Sequence, residues 1–434
     1  MNTENHMMFG AAKELITPNF PIHMIGFNVG SNERYNQQPF EQIHDDLYVR
    51  GVVLDDGKCR HLIMAFDLLF HDPSLRDDIA AMAADYGFSP EQVLVNYTHT
   101  HYAPAVEGYF SEMADSRYET FLRQRAASCL RKCLINMQPG TVRFGSIRAD
   151  ENICRRKPEN GVMNLAPNLE GLKDDELNVL CIDAGNGTPG CILFSYSCHP
   201  VTMKANPVLS SEFPGRVCSL LEAQYYGCVP VFLQAMAADV RPRLTAAEGS
   251  FAAGSFDDIE EMSLSLALRL NMVLQRKGAM RPLRLSLKAE RFTLPLKLDV
   301  YDRAFFEKEK ADHSGGIQYR AEKILEKYDT LNDTCDLEGG VWQIAEDLDL
   351  VFFGGEVCSD TKRVIRAAFP ERSILVIAYC DATAYIPSDR IIREGGYEAE
   401  GSVTEYELKG SFALGVDDKM TRAIAEAFDR FETI

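Results

Sequence analysis

The chain has 434 residues, 46% hydrophobic and 25% charged, the composition of a globular protein with a substantial core and not of a disordered or fibrous one. Its 64 acidic and 45 basic side chains leave a formal charge of −19, a field that works against nucleic acid and anionic bilayers and favours a small-molecule partner. No uncharged apolar run approaches the ~20 residues that span a bilayer, and Met1-Asn2-Thr3-Glu4-Asn5-His6 has neither the basic nor the apolar region of an export signal. The twelve cysteines are scattered without a Cys-x-x-Cys pair, as buried reduced thiols are. The expectation is a cytoplasmic protein with no stable membrane insertion.

Along the chain, residues 8–18 read as a strand stopped by Pro18, followed by a Gly-, Asn- and Pro-rich loop to about residue 42. Residues 47–54 and 61–69 read as an apolar hairpin across Asp55-Asp56-Gly57, with Asp67 interrupting the second strand. A helix over 74–86 precedes the apolar run Val93-Leu94-Val95, which delivers Asn96-Tyr97-Thr98-His99-Thr100-His101-Tyr102-Ala103-Pro104. In extended backbone, side chains at i and i+2 share a face, so His99 and His101 stand side by side as a metal site needs. His-x-His is short and common, and a surface pair without a role fits the spacing equally well.

A long amphipathic helix over 115–137 ends at Pro139-Gly140, and a strand over 141–147 leads to Cys154-Arg155-Arg156-Lys157-Pro158. Three adjacent cations are ordinarily a solvated turn; in an acidic chain they also suit an anionic or carbonyl ligand. A hairpin over 178–183 and 190–198 ends in Ser197-Cys198-His199-Pro200, again a strand closing on a histidine. Helix 212–226 and strand 229–233 deliver Ala238-Asp239-Val240-Arg241-Pro242. A helix (255–275), a strand (283–294) and a charged helical stretch (301–328) make a middle third without evident chemistry, a packing layer or lid. Strands over 348–353 and 373–378 are followed by Gly354-Gly355-Glu356 and Cys380-Asp381-Ala382-Thr383-Ala384-Tyr385, and a helix over 417–431 closes the chain. The alternation predicts an α/β fold, stacked mixed β-sheets flanked by helices, with functional residues on strand-end loops.

Thr98-His99-Thr100-His101 with Pro104, then His199-Pro200, Gly355-Glu356, and Tyr385 followed by Gly396-Tyr397-Glu398 resemble the catalytic domain of the neutral ceramidases, as does the opening Gly10–Pro18 segment. The order is consistent over nearly the whole chain. The resemblance implies one catalytic domain over 1–434, with a helical insertion or lid at about 250–330, and a single Zn2+ held by His99, His199, Glu356 and Tyr385. It implies that His101, Arg155 and Tyr397 act on the scissile amide, with Arg156 competing for the arginine role. Zinc accepts such nitrogen and oxygen donors and keeps one position for water or substrate. Asp67, Asp239 and Asp381 are candidates to fix a histidine tautomer.

The chain departs from the family at Tyr102-Ala103-Pro104, where ceramidases have Ser-Gly-Pro, and at Arg241, where they have serine. It also ends near the catalytic domain, without the family's immunoglobulin-like C-terminal domain. A smaller, more polar amide than ceramide, bearing a negative charge for Arg155, Arg156 or Arg241, is the expected substrate. Two alternatives stand beside this: a binuclear amidohydrolase barrel using His99-x-His101, and a degenerate relative that binds zinc or a ligand without turnover.

Overall fold

The structure, a computed structural model, describes residues 7–26, 39–108 and 113–433. Residues 27–38 of the loop expected up to residue 42 lie outside the described residues. Sheet I is built from β1 (Met8–Leu15), β2 (Tyr48–Asp55), β3 (Arg60–Phe66), β4 (Val93–Tyr97), β5 (Gln138–Arg148), β6 (Glu176–Ala184), β7 (Pro189–Tyr196), β8 (Val229–Gln234) and β9 (Arg281–Leu283). Its order is β8-β7-β6-β5-β1-β2-β3-β4, with β9 on β5. The pairs β3/β4 and β7/β8 are parallel, the other pairs antiparallel. Sheet II comprises β10 (Leu285–Val300), β11 (Thr334–Ala345), β12 (Leu348–Phe353), β13 (Ile374–Ile377) and β14 (Gly410–Phe412), in the order β13-β12-β11-β10-β14 with β12/β13 parallel.

The inner strands read as unbroken apolar runs because both of their faces are covered. On one face of sheet I, helices α1 (Pro73–Ala84), α2 (Ser116–Ile135), α3 (Glu212–Gln224) and α4 (Phe256–Gln275) bury Leu75, Leu122, Val217 and Leu266 with Val49, Met64, Val179 and Phe194. On the other face Phe9, Val52, Ile63, Leu94 and Leu233 meet Trp342, Leu350, Phe352 and Leu375 of sheet II. Beyond sheet II, α7 (Thr361–Ala368) and α8 (Val416–Thr433) cover Leu337, Val351 and Val376 with Ile365, Met420, Ile424 and Phe428. The result is helix, sheet, sheet, helix, the stacked α/β architecture expected, and not the barrel that the binuclear alternative requires. No helix among the described residues is long and apolar enough to cross a membrane.

Three expectations change. The stretch 301–328 is two helices, α5 (Arg303–Asp312) and α6 (Gly315–Lys327), broken at His313-Ser314-Gly315. β11 was not foreseen, its charged start hiding an apolar second half. The basic knot is not a solvated turn: Asn152–Glu159 is a strand between Val162–Asn168 and Val240–Pro242, and Arg155 and Arg156 are buried. Carboxylates elsewhere in the chain, Glu398 and Glu394, pair with the two guanidiniums, which local composition cannot reveal.

Candidate metal and catalytic centre

The parallel strands of both sheets end at the same place, tied by one side chain. Asn96, at the end of β4, accepts from the Gln234 amide at 2.8 Å and donates to the Ala378 carbonyl at 2.6 Å, while the Ala378 amide donates to Gln234 at 3.1 Å. Three strand ends distant in sequence are thereby fixed together, and the loops leaving them and the neighbouring β7 and β12 carry the site.

His99 follows β4 with φ 63°, a left-handed conformation that a non-glycine residue adopts only where its surroundings impose it. Its amide donates to the Leu68 carbonyl and its Nδ1 to the Leu69 carbonyl, both at 2.9 Å. His199 Nδ1 likewise lies 2.7 Å from the Ala237 carbonyl. A carbonyl only accepts, so each Nδ1 carries the proton and each Nε2 presents a lone pair. Those lone pairs converge on one carboxylate oxygen: Glu356 Oε2 is 3.2 Å from His99 Nε2 and 3.0 Å from His199 Nε2. Tyr406 donates to the other oxygen, Oε1. His101 completes the group with Nε2 3.2 Å from that of His99, and the three imidazoles bring donor atoms within 4.8 Å of one another.

This donor set fits a divalent cation. Burial pushes His199 down to about 4, with Glu356 opposing. An anionic oxygen facing proton-free ring nitrogens away from water is costly unless a cation lies among them. His101 differs in standing partly accessible, with burial holding it well below its ordinary value.

Glu356 is set by a tight loop. Asp381 accepts from the Gly355 and Thr383 amides, each at 2.9 Å, and a Cβ on Gly354 would fall 2.1 Å from Asp381 Oδ2. Only glycine permits that approach. Asp381 thus shapes the Glu356 loop and does not fix a histidine. Asp239 accepts from the Ser359 amide at 2.6 Å, and Asp67 pairs with Arg50 at 2.8 Å. The tautomer-fixing role expected of these aspartates belongs to the carbonyls of Leu69 and Ala237.

Tyr385 is paired in register with Glu356 through a short parallel bridge, Glu356–Val357 with Tyr385–Ile386. Its ring packs edge-on to Tyr397 and Tyr406, with centroids at 5.2 and 5.6 Å. Arg155 lies over the Tyr385 and Tyr397 rings, 5.3 Å from each centroid, and donates through Nε to Glu398 at 2.8 Å. Arg156 turns the other way, bonding Glu398 and the Gly395 carbonyl. Of the two arginines, Arg155 faces the aromatic wall of the centre. The Tyr397 hydroxyl lies 2.5 Å from Glu405. Arg241 is buried over the Phe251 ring at 5.1 Å; burial first, then Arg155, lowers it to about 10.

Sequence reasoning missed Tyr406, Glu398 and Tyr379. Glu398 had a signal, its place beside Tyr397. Tyr379 and Tyr406 had none, since a tyrosine after a strand or within a charged loop is ordinarily a packing residue.

No family model and no curated protein matches the sequence. Among solved structures, the neutral ceramidase of Pseudomonas aeruginosa superposes with a TM-score of 0.70 at 16% identity, over 98% of this chain and 75% of that one. The chain has the ceramidase fold. A second structure, a ceramidase complexed with C2, gives a TM-score of 0.72 at 14% identity, over 98% of this chain and 76% of that one. At such identity the ceramidase-like likeness is one of fold, and the chemistry rests on the residues above.

Proposed function

We propose that the chain is a zinc-dependent hydrolase that cleaves a carbon–nitrogen amide bond of a small, fairly polar substrate. The observation that carries this is the pair of imidazoles, each locked by a backbone carbonyl, aiming Nε2 at one carboxylate oxygen. His99, His199 and Glu356 would hold the ion, with Tyr385 as the fourth ligand. What such an ion supplies is Lewis acidity, bringing the pKa of water to about 7.

His101 takes the proton of the attacking water and returns it to the leaving amine, a task suited to a neutral and partly accessible imidazole. Arg155 donates to the carbonyl oxygen as it becomes an oxyanion, an effect of roughly 3–4 kcal/mol for a well-placed donor. Tyr397 acts beside it, the substrate competing with Glu405 for its hydroxyl. Arg241 and Arg155 place two buried guanidiniums beside one cluster of tyrosines, a setting that favours a substrate with an anionic group, such as an N-acyl amino acid, over a neutral lipid amide. Tyr102, buried after the histidines, stands where the ceramidases carry serine. The twelve free cysteines suit a reducing cytoplasm.

Elemental analysis of zinc-supplemented protein tests the reading: about one zinc per chain is expected, falling to near zero in His99→Ala. Equal metal content in the two proteins overturns it. A panel of N-acyl amino acids, amino sugars and short amides then identifies the substrate, and turnover that disappears in His101→Ala separates an enzyme from a binding protein. The second reading, a non-catalytic relative, draws support from Arg241 standing where ceramidases carry serine.

A further inference from the structure

Tyr379 lies two residues beyond β13 with φ 61°, strained for a bulky side chain. Two clamps impose that backbone: its amide donates to the Gly355 carbonyl and its carbonyl accepts from the Tyr97 amide, both at 3.0 Å. Gly355 immediately precedes Glu356, and Tyr97 stands two residues before His99. The same segments that deliver the carboxylate and the first imidazole therefore turn this ring into the centre. Its centroid is 4.4 Å from that of His99 and 6.1 Å from that of His199.

The ring alone would serve as a wall for His99, and phenylalanine would do that without penalty. The hydroxyl is what needs explaining. It is buried and has no hydrogen-bond partner among the described residues, although a buried polar group without one is destabilising and rare. Burial keeps the phenol protonated, far above its ordinary value, and the charged and phenolic groups that bear on it are Glu356, Tyr385 and Arg155. It is a neutral donor held in reserve among the groups assigned to the reaction.

We propose that Tyr379 is a further catalytic residue of this centre, its hydroxyl donating a hydrogen bond to the scissile carbonyl oxygen as that oxygen gains negative charge. The proton stays on the phenol throughout. This rests on the amide-hydrolase reading above.

The test uses the full chain as wild type and Tyr379→Phe, each loaded with zinc or with cobalt(II). Kinetics are read on the panel amide that the wild type turns over, and acetohydroxamate is titrated by the visible spectrum of the cobalt protein. The phenylalanine variant should keep wild-type metal content and KM, lose kcat on the order of 100-fold, and bind acetohydroxamate about 10-fold more weakly, the loss of one hydrogen bond. Values within 2-fold of wild type for both kcat and acetohydroxamate overturn the inference. So does metal loss in Tyr379→Phe, which would make the hydroxyl a metal-retaining group. Wild-type protein that takes up no metal overturns the reading of the centre and this inference with it, whereas an active wild type with an unaffected variant overturns the inference alone.

Discussion

Two places in this molecule gather histidine and carboxylate, and they are electrostatic opposites. At the strand ends, His99 and His199 spend Nδ1 on backbone carbonyls and aim bare Nε2 atoms at Glu356. At the start of α1, His71 has Nε2 2.9 Å from Glu119 and Nδ1 3.1 Å from Asp72. His71, Asp72 and Glu107 also bring donor atoms within 4.8 Å of one another, so proximity alone does not tell the two groups apart. The number of carboxylates per ring does. His99 and His199 share the one carboxylate of Glu356; His71, whose Nδ1 also lies 3.0 Å from the Asp72 carbonyl, has a carboxylate at each nitrogen, and these make the ring itself the cation. Arg123 reinforces this, donating to Glu119 at 2.6 Å. The second group is an ion-pair network that ties α1 to α2.

Matched carboxylate-to-amide substitutions should separate the two regions. Glu356→Gln removes the negative charge that the imidazoles face. Changes one shell out already cost 10–100-fold in metal affinity, so a loss beyond about 100-fold is expected here. Competition with a chelator measures it, and near-native affinity would mean that the converging lone pairs do not bind metal. Glu119→Gln should leave that affinity within about 2-fold while changing how stability depends on pH.

The sign follows from His71. Burial lowers it, but hydrogen bonds to Asp72 and Glu119 win and raise it to about 9 from an ordinary 6.5. A group raised on folding stabilises fully below about 6.5 and loses that contribution as pH climbs through 9. Asp72 is shifted the other way, chiefly by its hydrogen bond to His71, and Glu119 is also lowered once its charged neighbours outweigh burial. Their contributions disappear only in acid, so the alkaline window belongs to the imidazole. Wild type should lose on the order of 2–3 kcal/mol from this source between pH 6.5 and 9, and Glu119→Gln distinctly less, by urea unfolding at the two pH values. Equal losses would show that Glu119 does not hold the charge on His71.

Why the first region was legible in the sequence and the second was not follows from the same contrast. His99, His199 and Glu356 each stand just past an apolar run, and in a layered α/β fold strand ends converge, so position in the pattern carried information. Arg155 and Arg156 were the hardest to place, because Glu398 and Glu394, which bury them, lie more than two hundred residues away. His71 sits on no such pattern; its role depends on Glu119 in the next helix, a contact set by packing. Tyr379 was invisible for the same reason, since its importance lies in a backbone conformation and an unsatisfied hydroxyl that no residue pattern reports. Helix ends were read within a few residues, whereas the break between α5 and α6 hinged on Ser314-Gly315 inside an otherwise helical composition.

The finest test concerns Asp239, expected from the sequence to orient a histidine and found on Ser359, with its oxygens 2.6 Å from the amide and 3.1 Å from the hydroxyl. Burial pushes this carboxyl up to about 6, so at neutral pH its ionised form is held at a disadvantage. Asparagine retains an acceptor for the Ser359 amide and offers its NH2 to the hydroxyl, while removing a buried charge. Asp239→Asn should therefore change stability by no more than about 1 kcal/mol and leave metal affinity within about 2-fold. A drop of 10-fold or more in metal affinity would show that this carboxylate reaches His199 through the Ala237 loop, and that a backbone carbonyl alone does not fix the imidazole.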